Sequence, residues 1–290
     1  MSSTHSAPRW RDILLTAVAP AIWGSTYIVT SQLLPPDRPF TAALIRCLPA
    51  GLLLLLMTRR LPARADWWRL LVLGALNIGL FQALLFVAAY RLPGGLAAVL
   101  GAIQPLLVMV LAWAVDGRAP AQITLWAAVA GVAGMAVLLL SPQTRIEPIG
   151  VVAALAGAGC MAAGVWLTRR WQLRLPVLAL TGWQLAIGGL MLAPAAWLID
   201  APLPSLGLTQ GLAYAYLSLA GALLAYALWF RGIARLPTVA VASLGLLSPL
   251  TAVLLGWVIL SQSVSGLALA GLAVVLGSVF AVQWTTTRGT

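Results

Sequence analysis

From residue 236 to residue 287 the chain carries no Asp, Glu, Lys or Arg. A stretch that long cannot be one helix across a bilayer whose hydrocarbon core is about 30 Å thick. The polar segment SQSVSG at 261–266 divides it into two expected spans, 237–260 and 265–284. Apolar segments of similar length recur upstream at 13–32, 41–58, 69–90, 93–115, 119–140, 149–168, 176–198 and 207–230. The sequence therefore predicts an all-α integral membrane protein with ten transmembrane helices. Composition agrees: 8% of residues are charged and the mean hydropathy is +1.00, against about 25% charged in a soluble domain. A membrane β-barrel would show alternating segments of about ten residues, and these do not dominate. The run 13–32 exceeds the apolar core of about 7–15 residues in a cleaved secretory signal, so it reads as the first helix.

All seventeen basic residues are Arg, and the net charge is +11. Their placement speaks of topology rather than of a nucleic-acid face. Thirteen flank the segments on one side: Arg9, Arg11, Arg59, Arg60, Arg64, Arg69, Arg118, Arg169, Arg170, Arg174, Arg231, Arg235 and Arg288. Only Arg38, Arg91 and Arg145 fall on the other. Positive charge marks the cytoplasmic side of short loops, so both termini are expected in the cytoplasm.

The stretch RLPGGLAAVLGAIQP at 91–105 returns as RLPTVAVASLGLLSP at 235–249, with seven of fifteen positions identical at an offset of 144. Five spans precede the midpoint and five follow it. An odd number per block sends the second block into the membrane from the opposite face. The expected organisation is a cytoplasmic tail (1–12), a first five-helix repeat (13–144), a second, inverted repeat (145–284) and a cytoplasmic tail (285–290). Inverted repeats are a common plan of secondary transporters, with the substrate held between them near the bilayer midplane. Pro105 and Pro249 match across the copies, as do Gly101 and Gly245. Each proline removes a helical hydrogen bond, so these four positions are candidate kink or gating sites; a static kink is the competing reading.

These motifs bring a family into view. The chain resembles the drug/metabolite transporter superfamily, specifically its ten-span EamA-type exporters. The likeness rests on AIWGSTYIV (21–29), IRCLPAGLLLLL (45–56), LNIGLFQALLFVAAYRLPGGLAAVLGAIQPL (76–106) and the weaker ALLAYALWFRGIARLPTVAVASLGLLSPL (222–250). It implies two inverted five-helix bundles around a central path in the inner membrane, exporting amino acids, other small metabolites or toxic compounds by alternating access. The expected substrate is an amino acid. The alternative is a multidrug or toxic-cation exporter, and a membrane enzyme or sensory scaffold is a remote third.

Arg46 is the one charged side chain deep in a span. Such residues mark functional sites by default; Arg46 could meet a substrate carboxylate, or snorkel outward to a helix-end carbonyl. The other polar and aromatic candidates for the path are Trp23, Tyr27, Asn77, Phe81, Gln82, Gln104, Trp166, Trp183, Gln184, Tyr214, Tyr226, Trp229, Ser243 and Ser248. Many such side chains serve only as interhelical hydrogen-bond partners. No Asp, Glu or His lies at depth, which argues against a simple proton relay and for gradient-driven movement or exchange. No GxxxxGK[ST] segment occurs, so ATP hydrolysis is not encoded. Neither a cofactor nor a metal site is expected, since Cys47 and Cys160 are isolated and His5 is the only histidine. The expected partners are a small-molecule substrate and the lipid bilayer, not nucleic acid. Monomer and homodimer fit the sequence equally.

Overall fold

The computed structural model describes residues 9–92, 99–117, 119–139, 147–260 and 266–288. Ten helices among them are long and apolar enough to cross a membrane. They are α1 (Trp10–Thr30), α2 (Pro39–Thr58), α3 (Arg64–Ala88), α4 (Val99–Asp116), α5 (Gln122–Leu139), α6 (Pro148–Trp171), α7 (Val177–Leu198), α8 (Leu208–Arg235), α9 (Thr238–Ile259) and α10 (Gly266–Thr285). Each matches one of the apolar segments within a few residues. Large apolar side chains such as Leu56, Trp197, Leu208, Val258 and Leu267 point outward, as contact with lipid tails requires. Pro93 and the five residues after it lie outside the described residues.

Helix contacts pair the first five helices with the last five. Helix α2 packs along α7 and α5 along α10. Helix α1 lies against α8 and α9, while α6 lies against α3 and α4; α3 packs on α7, and α8 on α2. Exchanging α1–α5 for α6–α10 turns each of these contacts into another of the set. The α2–α7 approach is close enough to need glycine on both sides. A Cβ at Gly51 would stand 2.5 Å from Ala186 N, and one at Gly189 would stand 3.0 Å from Leu48 Cα. Small residues are the usual means of bringing backbones together where lipid supplies no hydrophobic drive. The row Gly150, Ala154, Ala158 and Ala162 on α6 is likewise buried within the chain, whereas Ala273 and Gly277 on α10 are exposed.

Two helices leave α geometry at matched places. Helix α3 widens into a π-helical turn at Ala75–Gly79 and α8 into one at Leu219–Leu224; the offset of 144 carries Ala75 onto Leu219. Helices α4 and α9 are interrupted in the same region of the fold. In α4, Ala102 N donates to Val99 O (3.1 Å) and Ile103 N to Leu100 O (3.4 Å). In α9, Gly245 N donates to Ala242 O and Leu246 N to Ser243 O, both at 3.1 Å. Helix resumes at Gln104 and at Leu247. Pro105 and Pro249 thus sit in the first turn of a restarted helix, where a missing N–H costs nothing. The bend expected at the prolines is a break just before them.

Candidate functional site

The π turn of α8 creates the centre of the site. Its Gly221 carbonyl accepts the indole N–H of Trp23 (2.9 Å) and Arg46 Nη2 (3.0 Å), so α1 and α2 both dock on one backbone oxygen. π turns loosen the hydrogen-bond ladder locally and recur at functional places. Arg46 is 7% exposed; it does not snorkel, but lies inward against a mid-helix carbonyl. Its Nε is buried without a hydrogen-bond partner, and among the described residues no carboxylate forms an ion pair with it. The Trp23 ring lies 4.9 Å from Tyr226 and 5.2 Å from Trp229. Gln82 Nε2 donates to the Tyr226 hydroxyl at 3.2 Å. A Cβ at Gly245 would stand 3.7 Å from Gln104 Oε1 and 3.8 Å from the Trp229 ring, which places the α9 break beside the same cluster. Gln82 Oε1, Gln104 Nε2 and Trp229 Nε1 are buried without partners. Trp23, Arg46, Gln82, Gln104, Tyr226, Trp229 and Gly245 therefore form one polar and aromatic cluster drawn from both halves of the chain.

The π turn of α3 builds a second, neutral node. Asn77 Nδ2 donates to Gln184 Oε1 on α7 (2.7 Å) and to Thr168 Oγ1 on α6 (3.2 Å). Thr168 Oγ1 in turn donates to Gly164 O at 2.7 Å. Asn77 and Gln184 are 1% and 0% exposed. Phe81, one turn beyond Asn77, packs half-buried on the main core.

Other candidates go elsewhere. Trp166 donates to Asp116 Oδ2 at 2.9 Å and lies under the Arg170 guanidinium, 5.1 Å away, at the ends of α6 and α4. Trp183 donates to Arg60 O at 3.0 Å and meets Trp67 edge-on at 4.8 Å. Each indole thus reaches a group at or just beyond the end of a neighbouring helix, Asp116 at the end of α4 and Arg60 after α2. Ser243 donates to Ala240 O (2.9 Å) and accepts from Gln283 (3.0 Å), joining α9 to α10. The Ser248 carbonyl abuts Gly24 of α1. Tyr214 is buried with its hydroxyl unpartnered. Gly101 borders open space. Tyr27 lies on α1 with its side chain outside the described residues.

Sequence reasoning missed Gly221, since a glycine in an apolar helix carries no polar signal; the offset of 144 from Asn77 points to it. It also missed two ion pairs at matched places. Arg91, after α3, holds Glu147 before α6 at 3.4 Å, and Arg235, at the end of α8, approaches Asp12 in α1 at 3.6 Å, with Arg231 closer at 2.5 Å.

Comparison with known proteins follows the same division. The model of the EamA-like transporter family matches twice, at residues 10–140 and 148–284. The chain is 45% identical over 268 residues to Protein PecM of Dickeya dadantii, covering 91% of this chain and 90% of PecM. It is 30% identical to the chloroplastic WAT1-related protein At3g02690 of Arabidopsis thaliana, covering 90% of this chain and 67% of that protein. Its identity to the inner membrane transporter YedA of Escherichia coli K12 is 28%, over 90% and 87% of the two chains. A crystal structure at 22% identity superposes with a TM-score of 0.79 over 97% of this chain and 99% of the other, a likeness of fold. The chain belongs to the EamA-like transporter family of the drug/metabolite transporter superfamily, as a multi-pass inner-membrane transporter and not an enzyme.

Proposed function

We propose that this chain exports small metabolites, with amino acids as the substrate class, by alternating access between two inverted five-helix repeats. The repeats are residues 13–144 and 145–284, and both tails, 1–12 and 285–290, lie in the cytoplasm. Three observations support this arrangement. Thirteen arginines against three fall on one side of the spans, the family model matches once per half, and helix contacts are reciprocal under exchange of the halves.

The single observation that carries the substrate path is the convergence of Trp23, Arg46 and the α8 π turn on the Gly221 carbonyl. Tyr226, Gln82, Gln104 and Trp229 adjoin it. The interrupted helices α4 and α9 flank this point, and Gly101, Pro105, Gly245 and Pro249 mark where they bend to admit or release solute. An aromatic cluster can hold an ammonium group over its ring faces, which is the observation favouring a cation exporter. A purely cationic solute would meet the unpaired Arg46 guanidinium, so a solute that also carries negative charge fits better. With no carboxylate or histidine at depth, the gradient of the solute itself drives movement.

The test is flux in proteoliposomes loaded with labelled amino acids. Efflux above that of protein-free vesicles, at equal rates with and without a pH gradient, is expected. If no amino acid moves faster than in empty vesicles, the substrate class is wrong; if movement needs a pH gradient, the coupling is wrong.

A further inference from the structure

We propose that Arg46 and Gly221 form an anion subsite that receives the carboxylate of the transported solute. The inference rests on the central path described above and names the group that binds there. The offset of 144 makes Gly221 the counterpart of Asn77, and each lies in the π turn of its helix. Their neighbours correspond as well: Arg46 comes seven residues after Pro39, the first of α2, and Gln184 seven after Val177, the first of α7.

The two nodes differ in one respect. In the first, the Asn77 side chain reaches Gln184 and Thr168. In the second, residue 221 has no side chain, and only its backbone oxygen meets Arg46. A Cβ at 221 would stand 3.7 Å from Arg46 Nε and 3.9 Å from Nη2, in ordinary van der Waals contact. The side-chain direction at 221 thus points at the Nε–Nη2 edge of the guanidinium. That edge is the one a carboxylate grips with two parallel hydrogen bonds. Its Nε has no partner among the described residues, although Arg46 is 7% exposed. A buried guanidinium satisfied by one neutral carbonyl gains most from an anion. The Trp23 ring, bonded to the same carbonyl, and Tyr226 behind it give the organic part of the solute an apolar wall.

Glycine at 221 leaves to the solute the place that a fixed side chain takes in the other half. A carboxylate tethered there should therefore occupy the subsite permanently. Purified protein in detergent carrying Gly221→Asp should melt about 2–4 °C above Gly221→Ala, and Arg46→Gln should abolish that difference. Benzoate, a carboxylate on a ring, should quench tryptophan fluorescence in the wild type, while neutral benzamide does not. The benzoate response should vanish in Arg46→Gln and in Gly221→Asp. Equal melting of Gly221→Asp and Gly221→Ala, or a gain that survives Arg46→Gln, would overturn the proposal. Should Gly221→Asp fail to fold, the wild-type and Arg46→Gln titrations decide alone: indistinguishable benzoate and benzamide curves, or a benzoate response unchanged by Arg46→Gln, would sink it. None of these readouts needs transport, so failure of amino-acid flux and failure of the subsite are separate results.

Discussion

Gln82 and Tyr226 occupy the same position in the two halves, 144 residues apart, and they touch: Gln82 Nε2 donates to the Tyr226 hydroxyl at 3.2 Å. Residues related by a two-fold axis meet only if they lie near that axis. If the halves are related by the proposed two-fold axis, this contact lies beside it. The pair is 1% and 2% exposed, so water does not replace the bond if it is cut. Tyr226→Phe should destabilise the protein by about 1 kcal/mol, because it strands a buried amide. The double variant Gln82→Leu/Tyr226→Phe should lose less than the sum of the single changes. Thermal melting of the four proteins in detergent checks this, and strict additivity would show that the bond contributes nothing.

Asp12 faces two arginines, Arg231 at 2.5 Å and Arg235 at 3.6 Å, whereas Glu147, before α6, faces Arg91 at 3.4 Å, its one arginine partner among the described residues. The Asp12–Arg231 side chains are each 23% exposed, against 47% and 35% for Arg91 and Glu147. Screening by solvent limits an exposed pair to about 0–1 kcal/mol. Asp12→Asn should therefore lower the melting midpoint more than Glu147→Gln, which keeps an oxygen to cap the Gly150 N–H. Raising the salt concentration should shrink the Asp12 effect. A larger loss for Glu147→Gln would reverse the ranking of the two ends.

The ten spans were legible because burying an apolar helix in lipid needs nothing subtler than a long uncharged run. Arg46 was legible for the converse reason, since charge is scarce there. The π turns were not. Ala75–Gly79 reads ALNIG and Leu219–Leu224 reads LAGALL, with no pattern that marks a widened turn; in the fold they pack on α7 and α2. For the same reason Gly221 was invisible: its role lies in a carbonyl that every residue has. The partners of Trp166 and Trp183 were not legible either. An indole is polar at one atom only, and which carboxylate or carbonyl that atom finds depends on how the helices pack. The Ser243 bond to Gln283 was hidden for the same reason, since a buried hydroxyl is as well satisfied by a neighbouring helix as by a ligand.

Glycines divide by what a methyl group would meet. A Cβ at Gly24 would stand 2.5 Å from Ser248 O, and one at Gly188 would overlap the Ile78 side chain. A Cβ at Gly101 or Gly277 would meet nothing within 4 Å. Gly24→Val and Gly188→Val should each destabilise by about 1–3 kcal/mol through overpacking. Gly277→Ala should be neutral or gain slightly, because alanine costs less backbone entropy in a helix. Yield of monodisperse protein and melting midpoint measure both. Tolerance of valine at Gly24 would mean that α1 and α9 are not held together in the folded state.

The proposed inverted threading makes a prediction about sidedness that depends on no substrate. Arg60 follows α2 and Arg174 precedes α7, while Arg38 precedes α2 and Asp200 follows α7. If both termini are cytoplasmic, positions 60 and 174 share the cytoplasmic face, and 38 and 200 share the other. Single cysteines at these four positions, in a background lacking Cys47 and Cys160, should divide two and two when intact cells meet a membrane-impermeant maleimide. Only those at 38 and 200 should react before lysis. The side chains of Arg38 and Asp200 already tie that end together: Arg38 Nε donates to Pro202 O at 3.0 Å, and Asp200 Oδ2 accepts from Thr41 N at 2.5 Å. Labelling of position 60 and not 174 from the same side would place the start of α7 opposite the end of α2. The two halves would then run in the same sense, and the reciprocal packing of α2 on α7 would lose its two-fold meaning.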